Sequence, residues 1–236
     1  MELGHDSLIA LYSVTFGKPG VVVIGGTGSV GFGRDARGRT ARTGGWEYTF
    51  GDEGSGYWIG VRALSACARA GDGTGPKTSL LAYILRALRV STFTDVHRFV
   101  YSGAISRPDI AALATGVHEA AVARNRVAQT ILRQASEELG QLAAGVIRAL
   151  KLQEDRLTVG MAGGVFKAGA WVADPFKRVV LEEAPYARAN RPEIPPAAAA
   201  ALLALEHIGG VVDEPIIDNL KATLSAAILG RHSNIW

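Results

Sequence analysis

The spacing of apolar and polar positions divides the chain into a strand-like start, a long helical middle and a short return to strand. In residues 5 to 16, Leu8, Leu11 and Tyr12 share one face by the i, i+3, i+4 rule, which predicts a short helix with Asp6 near its N-terminus, where a carboxylate can cap. Gly17, Pro19 and Gly20 then make a turn. Val21-Val22-Val23-Ile24 is a continuous β-branched run, the pattern of a buried strand. The alternation Val30-Gly31-Phe32-Gly33 predicts a return strand. After an Arg37-Gly38-Arg39 turn, a third short strand runs into Gly44.

Beyond Ser55 the period is helical. A first helix ends in the glycines between Gly71 and Gly75, and Pro76 suits the start of a second that runs through Val90. Thr94 or Asp95 can cap a third, through Tyr101. Ser106 and Pro108 open a fourth, anchored by Ala111, Leu113, Val117 and Ala121. Asn125 can cap a long helix through Leu152, with Val127, Ile131, Leu139, Leu142 and Val146 inward and Arg133, Glu137 and Glu138 on its solvated face. Residues 157 to 162 read as strand again and are expected in the same sheet as residues 21 to 24, followed by a helix from about Ala170 to Glu182. Arg191 to Pro196 reads as a linker, Ala197 to His207 as an alanine-rich helix, and Pro215 to Gly230 as a last amphipathic helix before a polar tail ending at Trp236. Hairpin strands, many helices, one strand and further helices imply an α/β fold with a mixed sheet and flanking helices.

Composition narrows the function. With 236 residues, 48% hydrophobic and 20% charged, the chain can bury a sizeable core. The net charge is +3 and the arginines are scattered among acids and alanines, so no basic stripe points to nucleic acid. No apolar run is long enough to span a bilayer, and the start MELGHDSLIALYS has no basic region of the secretory type, so a cytoplasmic protein is expected. Cys67 stands alone, which excludes an internal disulfide and reads as a small buried hydrophobe. His97 and His118 have no second ligand at metal spacing and read as structural or surface residues, so no protein metal site is expected.

Three glycine-rich turns carry the candidate chemistry. Gly25-Gly26-Thr27-Gly28-Ser29 leaves a buried strand and can present backbone amides to an anion. Gly163-Gly164-Val165-Phe166 joins a strand to a helix. Gly51-Asp52-Glu53-Gly54-Ser55 precedes a helix that its carboxylates can cap, and the plain reading of this stretch puts Trp46, Tyr57 and Trp58 in the core. Long helical segments separate the three turns, so only a shared ligand cleft makes their meeting useful.

In order, VVVIGGTGS, GGWEYTFGDEGSGYWIG, AGGVF and PPAAAAALLALE resemble the N-acetylglucosamine kinase-type branch of the BadF/BadG/BcrA/BcrD ATPase family, within the actin, sugar kinase and Hsp70 superfamily. The resemblance covers roughly residues 5 to 208, and its specific part is GDEGSGYWIG after GGW. It implies a ribonuclease-H-like lobe of the actin-like ATPase fold that phosphorylates an amino sugar with ATP and Mg2+. By resemblance, Gly26, Thr27, Gly28 and Ser29 match a phosphate loop, and Gly163 and Gly164 match the adenosine-side loop. Asp6 matches the aspartate that contacts the sugar and acts as base, and Gly45, Trp46 and Asp52 match the part of the pattern that lines the sugar pocket.

Two positions depart from the family pattern. Glu47 stands where glycine usually follows GGW, and Ala199 where the final helix usually has glycine. The family's opening DGGGT-type loop has no match, so residues 1–18 read as the end of a first lobe, 19–208 as the C-terminal ATPase lobe and 209–236 as a C-terminal helix and tail. The apolar face of the first helix is then expected to be exposed, mobile, or covered by the C-terminal helix or a second chain, with a homodimer or a missing-lobe partner to complete the molecule. Two other classes remain open: a non-catalytic nucleotide- or sugar-binding lobe, and an activator-type ATPase. The single cysteine argues against the second, because such activators resemble cysteine-ligated iron–sulfur proteins.

Overall fold

The structure, a computed structural model, describes residues 6–224. Helix α1 (Asp6–Thr15) leads into strands β1 (Gly20–Gly25), β2 (Ser29–Arg34) and β3 (Thr40–Gly44). Helices α2 (Gly56–Gly71), α3 (Leu80–Leu88), α4 (Phe93–Tyr101), α5 (Arg107–Val122) and α6 (Arg126–Leu150) follow. The chain then forms β4 (Thr158–Ala162), a 3₁₀ turn (Gly164–Ala168), α7 (Ala170–Glu183), β5 (Arg188–Asn190), α8 (Pro196–His207) and α9 (Glu214–Thr223).

The strands form one sheet in the order β3-β2-β1-β4-β5. β1 to β3 pair antiparallel, while β1–β4 and β4–β5 are parallel. This is the mixed sheet expected from the sequence, with 21–24 and 157–162 side by side. Successive strand side chains point to opposite faces, and β1 fills both. Val21 and Val23 enter the main core with Leu139 and Val146 of α6, Val159 of β4 and Phe176 of α7. Val22 faces the other way, against Leu11 of α1 and Ala162.

Helix α1 is buried from two sides. Leu11 meets the sheet, and Tyr12 packs with Ile194 and with Ala198, Ala199 and Leu202 of α8. The face that the sequence left without a sheet of its own is therefore covered by β1 and β4 as well as by a C-terminal helix. Ala199 is fully buried in this packing, so its departure from glycine concerns the α1–α8 contact.

Several boundaries differ from the sequence reading, each for a local reason. α3 begins at Leu80 rather than Pro76, because Thr78 Oγ1 accepts the Leu80 amide at 3.1 Å and also bonds Asn125. Thr92, not Thr94 or Asp95, caps α4; Asp95 sits three residues inside and returns a bond to the Thr92 amide at 3.0 Å. Ser55 caps α2 by accepting the Trp58 amide at 3.1 Å, which frees Asp52 for other work. Trp46 is 60% exposed rather than in the core, while Tyr57 and Trp58 are half-buried. The three-residue β5 was not foreseen. α9 ends at Thr223, and the expected extension to Gly230 and the tail to Trp236 lie largely outside the described residues.

Cys67 is 4% exposed, and burial pushes its thiol up to about 11, as suits an inert hydrophobic site. α2 and α5 cross so closely that a Cβ on Gly60 would overlap the Ile110 carbonyl. Gly60→Ala should therefore destabilise the fold by about 1–3 kcal/mol in urea unfolding; a loss under about 0.5 kcal/mol would contradict this packing.

Candidate functional site

Parallel pairing of β1 and β4 sets Ile24 opposite Ala162, so the strands end together and their glycine turns emerge side by side. Gly163 has φ +94, and a Cβ there would overlap the Gly25 backbone. Its glycine is needed for this contact as well as for its left-handed conformation. In the β1–β2 turn the Gly26 amide donates to Gly28 O at 2.9 Å. The first amides of α2 donate back to the hairpin, Gly56 to Gly26 O at 2.8 Å and Tyr57 to Thr27 O at 3.3 Å. Among the described residues, the Thr27 and Gly28 amides donate to no protein acceptor, which leaves two adjacent backbone donors available to a ligand.

The Gly51–Ser55 turn is fastened to this hairpin. Asp52 is 3% exposed and has φ +61. One carboxylate oxygen accepts the Ser29 amide at 3.0 Å, and the other accepts from Arg107 Nη2. Ser29 Oγ donates to Glu53 O at 2.7 Å. Arg107, the first residue of α5, also bonds Glu47 Oε2 through Nη1 at 2.8 Å and lies 4.8 Å from the Tyr48 ring centroid. A buried carboxylate needs such partners, because an unpaired buried charge costs several kcal/mol.

Two cavities open on either side of the Gly26–Thr27 turn. The first, about 490 Å³, lies between that turn, Gly164 and Lys167 of the 3₁₀ turn, and Pro108, Thr115 and His118 of α5. The second, about 480 Å³, is bounded by Asp6, Gly26 to Ser29, Arg42, Gly45, Glu47, Asp52 and Arg107, with Ile24 and Phe32 as apolar floor. Gly26 and Thr27 belong to both. The Gly25–Ser29 turn thus borders both cavities, while the Gly163–Phe166 turn reaches only the first and the Gly51–Ser55 turn only the second.

The structure sorts the expected site residues. Asp6, Gly26, Thr27, Gly28, Ser29, Gly45 and Asp52 line the second cavity; Gly26, Thr27 and Gly164 line the first. Gly163 lines neither and acts through the strand contact. Trp46 also lines neither: it stands on the rim under the Arg42 guanidinium, 5.2 Å from the ring centroid. His118, read as an ordinary histidine, faces the first cavity. Arg107 and Lys167 were missed. Arg107 did leave a signal, because a cation in the first turn of a helix opposes the helix dipole. Glu138, elsewhere on α6, has its carboxyl held above the usual range by partial burial and then by Glu53, against Arg62, but it faces neither cavity.

Among the described residues, no group of three or more His, Cys, Asp or Glu side chains could hold a metal ion, and no helix is long and apolar enough to cross a membrane. The model of the BadF/BadG/BcrA/BcrD ATPase family matches residues 1–204. An N-acetylmuramic acid/N-acetylglucosamine kinase of Clostridium acetobutylicum is 35% identical over 174 residues, 74% of this chain and 57% of that protein. An N-acetyl-D-glucosamine kinase of Dictyostelium discoideum is 34% identical over 207 residues, 86% of this chain and 65% of that one. A solved structure from Chromobacterium violaceum, described as a candidate N-acetylglucosamine kinase, superposes with a TM-score of 0.67 at 30% identity and covers 86% of this chain and 65% of its own. The chain therefore spans less than two thirds of the length of each of these three.

A Cβ on Gly28 would come within 2.9 Å of both Asp52 carboxylate oxygens. Gly28→Ala should push Asp52 or Arg107 aside and lower Tm by roughly 2–12 °C. An unchanged Tm would contradict the packing of this junction.

Proposed function

The chain belongs to the BadF/BadG/BcrA/BcrD ATPase family, and on that footing we propose that its two cavities take Mg–ATP and an amino sugar of the N-acetylglucosamine class for phosphoryl transfer. The observation that carries this reading is the shared wall. A turn with free amides stands between a cavity suited to a nucleoside and a cavity lined with carboxylates, which is where a transferring phosphoryl group must pass.

In this reading the nucleoside lies between α5 and the 3₁₀ turn, near Gly164, Lys167 and His118. The terminal phosphate meets the Thr27 and Gly28 amides, whose fixed dipoles favour charge developing on the phosphoryl oxygens. Mg2+ enters with ATP in this reading, held by phosphate oxygens and water, as is usual for this ion at nucleotide sites.

The carboxylates divide the work. Asp52 is committed to Ser29 and Arg107, so it fixes the pocket wall and can accept one sugar hydroxyl. Asp6 is exposed in the second cavity, at the first turn of α1. We assign Asp6 as general base: its carboxylate takes the proton of the attacking sugar hydroxyl as the new O–P bond forms and ADP leaves. Gly45 shapes the same wall, while Trp46 can reach only a sugar substituent that protrudes past the rim. ATP and the lone buried cysteine both suit a reducing cytoplasm.

A binding lobe without turnover is the second reading. It is favoured by the single phosphate-facing turn among the described residues, where phosphoryl transfer calls for groups on both sides of the phosphate chain.

The test is Mg-ATP-dependent phosphorylation of N-acetylglucosamine by the full-length protein and by Asp6→Asn. The substitution preserves size but removes the proton acceptor. kcat should fall about 10²–10⁴-fold while the nucleotide Kd stays within about threefold. Wild-type turnover in Asp6→Asn would assign the base elsewhere. Nucleotide and sugar binding without turnover in the parent protein would favour the binding-lobe reading.

A further inference from the structure

Glu47 is an odd residue for its place. Its φ is +71, a left-handed conformation that side chains disfavour and glycine tolerates. It lies in the second cavity's wall rather than in a remote turn. A non-glycine residue held in this region at a ligand cavity points to a use for its side chain.

That side chain is 72% exposed at the cavity mouth and is tethered there by one ion pair. Its carboxylate accepts from Arg107 Nη1 at 2.8 Å, and Arg107 Nη2 is engaged by Asp52. The guanidinium is also braced against the Tyr48 ring. Each terminal nitrogen of Arg107 already bonds a protein carboxylate and its Nε is buried, which leaves no unengaged pair of exposed nitrogens for a bidentate grip on a substrate anion. The charged side chains of the wall are the carboxylates of Asp6, Glu47 and Asp52 and the cations Arg42 and Arg107. Arg107 is balanced by two of the three acids, and Arg42 sits over the Trp46 ring on the exposed rim. The wall thus carries three acids against two bases, one net negative charge, with Asp52 buried and Asp6, Glu47 and Arg42 at the exposed mouth.

We propose that Glu47, fixed by Arg107, is a specificity residue of the sugar site: it admits neutral N-acylated amino sugars and rejects the same ring carrying a carboxylate. This rests on the assignment of the second cavity to an amino sugar. The mechanism is charge repulsion. Two like charges about 5 Å apart in a partly exposed site change binding on the order of tenfold, and added salt weakens the effect.

The experiment compares N-acetylglucosamine with N-acetylmuramic acid, which adds a lactyl carboxylate to the same ring. kcat/KM is measured for each with the full-length protein, Glu47→Gln and Glu47→Gly at low and high ionic strength. The parent should prefer the neutral sugar at least tenfold, and that preference should shrink in high salt. Glu47→Gln, which keeps the size and removes the charge, should reduce the preference about tenfold and abolish its salt dependence. Glu47→Gly should reduce it as well, with Tm unchanged or higher, because glycine suits the left-handed backbone. A preference unchanged in Glu47→Gln overturns the proposal, as does a parent enzyme that prefers the acid, which would show Arg42 or Arg107 capturing its carboxylate. Neither binding nor turnover of either sugar would overturn the amino-sugar assignment, and this inference with it.

Discussion

Parallel pairing between β1 and β4 is the constraint on which the rest of the molecule depends. Its register brings Gly25 and Gly163 together, so two turns far apart in sequence leave the sheet at one point. The contact tolerates no side chain at Gly163. Behind it, Leu139 and Val146 of α6 pack with Val21 and Val23, so the position of both turns is set by the main core. The first amides of α2 then hold the hairpin carbonyls, while the Thr27 and Gly28 amides keep no protein acceptor.

A second constraint is electrostatic. Asp52 is buried and must keep its partners, and they come from two directions: the Ser29 amide within the hairpin and Arg107 at the head of α5. Arg107 therefore ties the loop of the carboxylate-lined cavity to the helix that walls the other cavity. Asp6 lines the same cavity without being buried, so Asp52 serves architecture while Asp6 keeps an exposed carboxylate. α1 can carry Asp6 in place because Leu11 and Tyr12 anchor it to the sheet and to α8.

What the sequence revealed follows the physics of each signal. The run Val21 to Ile24 and the alternation after Ser29 are local patterns, and both strands form where they predict. Helix starts were less legible, because Thr92 caps α4 from just outside the periodic segment and Thr78 accepts the first helical amide of α3 from two residues before it. β5 has three residues, too few to show a period. The glycine turns were legible as a set, but Gly163 proves to be a packing glycine, and Trp46 stands on a rim rather than in a wall. Arg107 meets Asp52 across 55 positions of sequence, a contact that no local pattern records. Glu47 was visible as a departure, while its left-handed backbone and its partner appear only in three dimensions.

The central claim is that one glycine turn serves two ligand cavities at once. A crystal structure of the full-length protein with a non-hydrolysable ATP analogue and N-acetylglucosamine tests it most directly. The account predicts the nucleoside between α5 and Gly164, the terminal phosphate on the Thr27 and Gly28 amides, and a sugar hydroxyl between that phosphate and the Asp6 carboxylate. A nucleotide lodged in the Asp6 cavity, or a sugar bound where the Gly26–Thr27 turn does not reach it, would contradict the account.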